Sequence, residues 1–420
     1  MLKKYAERLY QLISTGISAL IYLPNVTLFR QLFSSEIFPW AFLFSIRKNM
    51  RLPIGYLIFL GYMLLSAIFI LSKGAAILVP ARALFALLNA TLIFFIIIRI
   101  DDKELEVLKK VFVWVFGINI GLSIIQYFGM FPSILTPFVR LFIDRFTDQP
   151  YGAGRGVAAL FAEPSYASLA IHYFFAYAMF MYRIHLRSML GYVAILAMIL
   201  FDLFIIRSIT GLVMIFVYFI SLQRWKQLWR GAILFICSGL VVLYFANQAK
   251  EKPRAVEFMY DLIYNQEYQD PMPFLLNESG FRVISVAAAY NYGFFHPLGS
   301  GIGGWSSASL EAMDDIGVPA SEISFFSTFA GGEFEGVRPT SFISDIFLEL
   351  GWVGFVLFIL AFATYIFNKK LFNDQTARPI VVMFLFNLFV MGTIGDPLPF
   401  IFLALVYRTH HEPELNVIVQ

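Results

Sequence analysis

The chain carries a single cysteine, Cys237, inside the apolar run AILFICSGLVV, which excludes an internal disulfide and any cysteine-based metal cluster. Charge is equally scarce. Only 14% of the residues are Asp, Glu, Lys or Arg, against 59% hydrophobic and 18% aromatic, whereas a soluble domain carries roughly 25% charge and about 45–50% apolar residues. A formal net charge of +3 offers no basic surface for nucleic acid. There is no internal repeat of fixed period, no low-complexity tract and no heptad seam, which removes solenoid and coiled-coil architectures. Neither His172, inside an apolar run, nor His185 at its edge lies near a second ligand at metal-binding spacing, so no zinc site is expected, and no other cofactor is either. The opening MLKKYAERLYQLISTGISAL joins a basic flank to an apolar stretch without a small-residue cleavage site, and reads as a retained first span.

What the sequence has instead is apolar runs, from its first ten residues to its last fifteen. They leave no room for a soluble domain, so residues 1–420 are expected to form one all-α, polytopic membrane bundle. A helix crossing about 30 Å of hydrocarbon needs roughly 17–25 mostly apolar residues, and about twelve runs qualify. Clear ones lie near 52–71, 75–98, 111–131, 157–182, 189–206, 231–247 and 342–367; those near 9–29, 32–46, 208–222, 379–395 and 397–407 are short or interrupted. Most of the 31 Lys and Arg residues gather in alternate gaps, at 3–8, 47–51, 99–110, 183–187, 223–230, 368–378 and Arg408. Basic residues are retained on the cytoplasmic side, which places both termini there and turns two loops outward, a smaller one at 132–156 and a large one at 248–340. Within the large loop, SGFRVISVAAAYNYG predicts a helix with Ser279 as N-cap and Gly293 as terminator, followed by the turn HPLGSGIGGW.

Three segments carry candidate chemistry. In RGVAALFAEPSYASLA, Arg155 stands at the outer mouth of the 157–182 span and Glu163 two turns inside it. An intramembrane carboxylate is costly and faces a polar cavity or a partner, here a functional site or an ion pair to another span through Arg82. Eight residues apart on a helix means about 12 Å of rise and about 80° of rotation, so Arg155 and Glu163 would line one cavity without touching. In the second segment, Arg282 at a helix start precedes Gly299, Gly301, Gly303 and Gly304, a combination of guanidinium and free backbone amides suited to phosphate oxygens, or else a plain surface turn. His296 in the same turn is either a proton-transfer group or a stiffener. The formal dinucleotide spacing of Gly299, Gly301 and Gly304 is discarded, since no strand precedes it. In the third, Arg338 leads into a span with Asp345 and Glu349 four residues apart on one face. The six acids of 311–336 read as a solvated loop face, and Asp202, Arg207 and Asp396 have no assignable partner.

These segments resemble those of the bacterial O-antigen polymerase and ligase family: RGVAALFAEPSYASLA its Arg, Gly and Glu-Pro-Ser segment, FRVISVAAAYNYGFFHPLGSGIGGW its arginine helix and Pro-Leu-Gly-x-Gly loop, and SFISDIFLELGWVG its Glu-x-Gly-x-x-Gly span. The resemblance implies a bacterial inner-membrane enzyme with periplasmic loops at 132–156 and 248–340. Its substrates would be undecaprenyl-diphosphate-linked oligosaccharides, and a chain-length regulator and a flippase of the same pathway its partners. Arg155, Arg282 and Glu163 would then be catalytic, with Arg338, His296, Gly299, Gly301 and Arg145 binding substrate. Arg282 with Gly293, and Arg145 with Gly156, also match the arginine-to-glycine spacing of polymerases. The ligase branch carries histidine nine residues before the glutamate, where this chain has Thr340, which favours polymerase. The alternatives are ligation of glycan to lipid A-core and transport of a lipid-linked oligosaccharide. An acyltransferase would call on His172 as the intramembrane histidine.

Overall fold

The computed structural model describes residues 52–140, 146–150, 156–161, 163–185, 188–222, 281–318 and 336–418, and among them every regular element is helical. The runs expected at 9–29, 32–46 and 231–247 lie outside the described residues, as do Cys237, Ser279, Arg145 and Arg155. The principal helices are α1 (Ile54–Ser72), α2 (Leu78–Ile97), α3 (Asp102–Tyr127), α4 (Pro164–Met181), α5 (Met189–Phe201), α6 (Ile209–Leu222), α7 (Phe281–Phe295), α8 (Trp305–Asp315), α9 (Phe342–Ile366), α10 (Arg378–Phe389) and α11 (Leu398–Ile418). Five are long and apolar enough to cross a membrane: α1, α2, α3, α9, and α5 together with the π-helical turn Asp202–Ile206 that extends it. The described residues are thus all-helical in their regular structure and carry the apolar helices of a membrane protein.

α4 is not among the five for a physical reason. Nearly all its residues are buried, and it touches α3, α6, α10 and α11. A helix solvated by protein need not be apolar on every face, so α4 tolerates Ser168, His172, Tyr173 and Tyr177. α1 is the opposite case: 28% of its apolar window is buried, and Leu57, Ile58, Leu65, Ile68 and Phe69 stand exposed in the manner of a lipid-facing surface. Two phenylalanines organise the interior. Phe362 of α9 meets Tyr56, Phe94, Phe95, Phe358 and Phe400 at centroid separations of 4.9–6.1 Å. Phe402 of α11 meets Phe112, Tyr173, Phe174 and Tyr177 at 5.2–5.7 Å. Between helices already in lipid, burial supplies little drive, so close contacts of this kind, each about 0.5–1.5 kcal/mol, matter more.

Contacts fix the direction of each helix. Arg183 Nη1 lies 2.8 Å from Asp374 Oδ2, and Arg408 Nη2 lies 2.6 Å from Asp102 Oδ1. With His410 Nε2 2.9 Å from Asp374 Oδ2, these pairs bring residues 99–110, 183–185, 368–378 and Arg408 to one end of the bundle, as their alternation in sequence predicts. At the other end Val157 N donates to Ile205 O (3.2 Å), Gln126 Nε2 to Ala159 O (3.1 Å) and Tyr290 Oη to Phe389 O (2.8 Å). Three boundaries differ from expectation. The tract at 102–110 is helical and forms the first turns of α3, where Asp102 and Glu104 complement the helix dipole. The expected 157–182 span starts only at Pro164, because residues 156–161 are held in irregular backbone between Gln126 and the π turn. α7 passes through Gly293 to Phe295 rather than stopping there, because Gly293 marks a crossing: a Cβ there would stand 2.2 Å from Phe347 O.

α9 is broken in its middle. Gly351 adopts φ 63° and ψ −172°, and the freed groups are satisfied by the turn after α7: Ser300 N donates to Leu348 O (3.0 Å), Gly301 N to Glu349 O (2.9 Å), and Val353 N to Pro297 O (3.2 Å). Tyr62 Oη of α1 covers Leu350 O at 3.0 Å. A Cβ on Gly351 would sit 2.1 Å from Pro297 O, whereas one on Gly61 in α1 would meet nothing within 4 Å. Gly351→Ala should therefore destabilise the protein by more than ~3 kcal/mol, while Gly61→Ala gains ~0.5–1 kcal/mol from helix propensity. Thermal unfolding of the two variants in detergent checks this; equal melting temperatures would refute the interlock.

Candidate functional site

Ser341 caps α9 by accepting from Ser344 N at 3.1 Å, and the first turns that follow present Asp345 and Glu349 one turn apart. Both carboxylates are buried, at 1% and 0% exposure. The approach to this helix, residues 336–340, runs against α8: a Cβ on Gly336 would overlap Ser306 O. That path lays Arg338 between α8 and α9. Its guanidinium carbon lies 5.1 Å above the Trp305 ring, and Nη2 is 3.6 Å from Glu349 Oε1. A small cleft bordered by Ser285, Ala289, Ser309, Val337, Pro339 and Leu348 opens beside it, between α7, α8 and the approach segment. Desolvated charge held against an aromatic face and a buried carboxylate is a costly arrangement, typical of sites that handle charge.

Arg282, in the first turn of α7, is exposed, and its carbonyl accepts from Thr340 Oγ1 at 3.3 Å. The backbones that carry Arg282 and Arg338 are therefore neighbours, although 56 positions separate them in sequence. His296 closes α7: it is half-buried, stacks on Tyr292 with centroids 4.0 Å apart, and its Nδ1 lies 3.0 Å from Tyr292 O.

The anion cradle expected of Gly299 and Gly301 is corrected by the backbone. The amides of Gly299, Ser300, Gly301, Ile302 and Gly304 donate to His296 O, Leu348 O, Glu349 O, Ser66 Oγ and Gly301 O, all at 2.8–3.0 Å. They are engaged by protein acceptors and not presented to an oxyanion. The glycines serve close approach instead, since a Cβ on Gly299 would lie 2.5 Å from Glu349 C.

Glu163 is also relocated. It does not sit two turns inside a helix; it is the extended residue at the N-cap of α4, φ −149° and ψ 155°, with its carbonyl accepting from Ala167 N at 3.1 Å. Pro164 at the first helical position explains the boundary, since proline lacks the N–H that an earlier turn would need. Gly156 abuts the end of the π turn, where a Cβ would meet Ile205 O at 2.1 Å. There Arg207 turns left-handed, φ 52°, and faces the Tyr127 ring at 5.9 Å. The Glu163 and Arg282–Arg338 groups occupy the same end of the bundle.

A cluster not read from the sequence lies within α4 and the π turn. His172 Nε2 stands 2.9 Å from Asp202 Oδ2, Ser168 Oγ donates to Asp202 Oδ1 at 2.9 Å, and His172 Nδ1 lies 2.7 Å from Ser168 O. Since a carbonyl only accepts, Nδ1 carries the hydrogen toward Ser168 O, and Nε2 faces the Asp202 carboxylate. Gly211 lids the group, its missing side chain leaving room for Ser168 Oγ and Asp202 Oδ1. All three residues are buried, at 2% exposure or less, so His172 does not meet a substrate. The available signal was the i, i+4 spacing of Ser168 and His172 with an intramembrane Asp202. Among the described residues no group of His, Cys, Asp and Glu is placed to hold a metal ion. Comparison with family models, curated proteins and solved structures returns no match.

Arg338→Ala removes the cation facing the buried Glu349 carboxylate and should cost roughly 3–5 kcal/mol, whereas Arg338→Ala with Glu349→Gln should recover at least ~1 kcal/mol of that loss. Chemical denaturation of the single and double variants measures the coupling, and strict additivity would show that the two side chains act independently.

Proposed function

We propose that the chain is a glycan polymerase of the bacterial inner membrane, with about twelve spans, both termini cytoplasmic and its chemistry at the periplasmic face. The donor and acceptor are undecaprenyl-diphosphate-linked oligosaccharides, and a flippase and a chain-length regulator serve the same pathway. The observation that carries this reading is the convergence of Arg282 and Arg338 on neighbouring backbones, beside buried carboxylates, at the end of the bundle that also bears Glu163. In the reaction, the bond between the reducing-end sugar carbon and the diphosphate oxygen breaks as a bond forms to an acceptor hydroxyl. The hydroxyl proton leaves to a base, assigned to Glu163, and lipid diphosphate departs. Negative charge grows on the leaving diphosphate, and guanidinium groups in a low-dielectric setting stabilise it. Arg282, exposed at the surface, and Arg155 are assigned to that contact, with Arg145 supporting. Arg338, held against Trp305 and Glu349, shapes the site next to the Arg282 backbone. Gly299 and Gly301 act by joining α7 to α9, and His296 by stiffening their turn.

Two observations weigh against the ligase and acyltransferase readings. Thr340 occupies the position of the ligase histidine and its hydroxyl is engaged by the Arg282 carbonyl, so no imidazole base stands there. An acyltransferase reading loses His172 to its buried pairing with Asp202. Deleting the gene in its host should leave the surface lipid anchor with one repeat unit. Arg282→Ala and Arg155→Ala should reproduce that pattern on a polysaccharide gel, and Arg282→Lys should rescue it poorly, because a point charge does not replace a bidentate fork. Wild-type chain lengths in both alanine variants would overturn the assignment, and a bare anchor with accumulated lipid-linked polymer would indicate a ligase.

A further inference from the structure

Residues 282–311 belong to the stretch that charge distribution assigns to a loop outside the membrane, yet their contacts measure a different depth. Tyr62 Oη of α1 lies 3.4 Å from Leu298 O, Ile302 N donates to Ser66 Oγ at 3.0 Å, Gly301 rests on Ile70 and Phe69, and Gly303 abuts Val79 at the start of α2. α1 ends at Ser72. Ten residues of helix, from Tyr62 to Ser72, rise about 15 Å, which is half of a hydrocarbon layer about 30 Å thick. A helical side chain leans toward its own N-terminus. The Tyr62 hydroxyl therefore points away from Ser72 and gives no upward reach. Leu298 accordingly sits close to the mid-depth of a membrane-crossing helix.

At that depth the hairpin shows bare hydrocarbon. Phe294, Phe295 and Leu298 are 68%, 69% and 63% exposed, and beside them α1 exposes Leu65 and Ile68 at 66% and 62%. The sequence agrees: between Arg282 and Glu311 there is no Asp, Glu, Lys or Arg. The amides of Gly299, Ser300, Gly301, Ile302 and Gly304 are matched to protein acceptors, the condition under which irregular backbone is found at membrane depth.

We infer that α7, its turn and α8 form a re-entrant hairpin seated in the bilayer, with Phe294, Phe295 and Leu298 facing lipid acyl chains. The occupant is lipid because the turn carrying Leu298 rests directly on α1, at Tyr62, Ser66 and Ile70, and α1 is a membrane-length helix whose own outer side is exposed and apolar. Arg282 then marks the interface where the hairpin enters and Glu311 where it leaves. The inference depends on the membrane architecture and not on the glycan reading.

The test uses the full chain with Cys237→Ser, reconstituted in liposomes, and single cysteines at Phe294, Phe295 and Leu298, with Asp314→Cys on the exposed face of α8 as reference. A charged, impermeant maleimide should react with the three tip cysteines at least about ten-fold more slowly than with Asp314→Cys, since the charged reagent does not enter hydrocarbon. With bimane attached instead, doxyl-chain lipids should quench the tip positions and iodide should not. Labelling at the reference rate with iodide quenching would overturn the inference in favour of an aqueous loop. Slow labelling without quenching by either agent would overturn it in favour of a protein cover, a second copy of the chain included.

Discussion

A broken helix in an apolar setting leaves backbone groups that water does not reach, and the rest of this molecule is arranged around meeting that demand at Gly351. The answer is an exchange of hydrogen bonds between two distant segments, the turn at 296–304 and the middle of α9, covered by a tyrosine from α1. Each unsatisfied group at such depth costs several kcal/mol, so the exchange is stronger than the neutral hydrogen bonds of a soluble loop. It fixes where α7 stops, how closely it approaches α9, and the height of Glu349 relative to Arg338. The cluster of charge is thus a dependant of the backbone seam and not an independent feature.

Much of the architecture was legible in the composition and spacing of apolar runs. The helical class, the position of α1, α2 and α9, and the gathering of the described basic tracts at one end follow from rules with few exceptions, because lipid admits few backbone solutions. The edges were less legible. Glu163 reads as intrahelical by hydropathy alone, and only Pro164 hints that the helix waits until after it. Gly299 and Gly301 were visible as special positions, but a glycine-rich turn looks the same whether its amides face an anion or a broken helix. Which it is depends on a partner some fifty residues away.

Asp202, His172 and Ser168 show the same limit from another side. Each is an odd residue in an apolar run, and nothing in the linear order says that a π turn rotates Asp202 toward α4 while Gly211 makes room. By contrast Asp345, Glu349 and Arg338 were suspect from sequence because they share one helix start, and the structure adds what spacing does not supply, the Trp305 face and the nearby Arg282 backbone.

The burial of α4 bears on how the chain is made. A segment holding Ser168, His172, Tyr173 and Tyr177 partitions weakly into hydrocarbon by itself, and the two most polar of these, Ser168 and His172, are met by Asp202 and not by lipid. Its residence in the membrane is therefore a collective property, acquired in the company of the helices that wrap it.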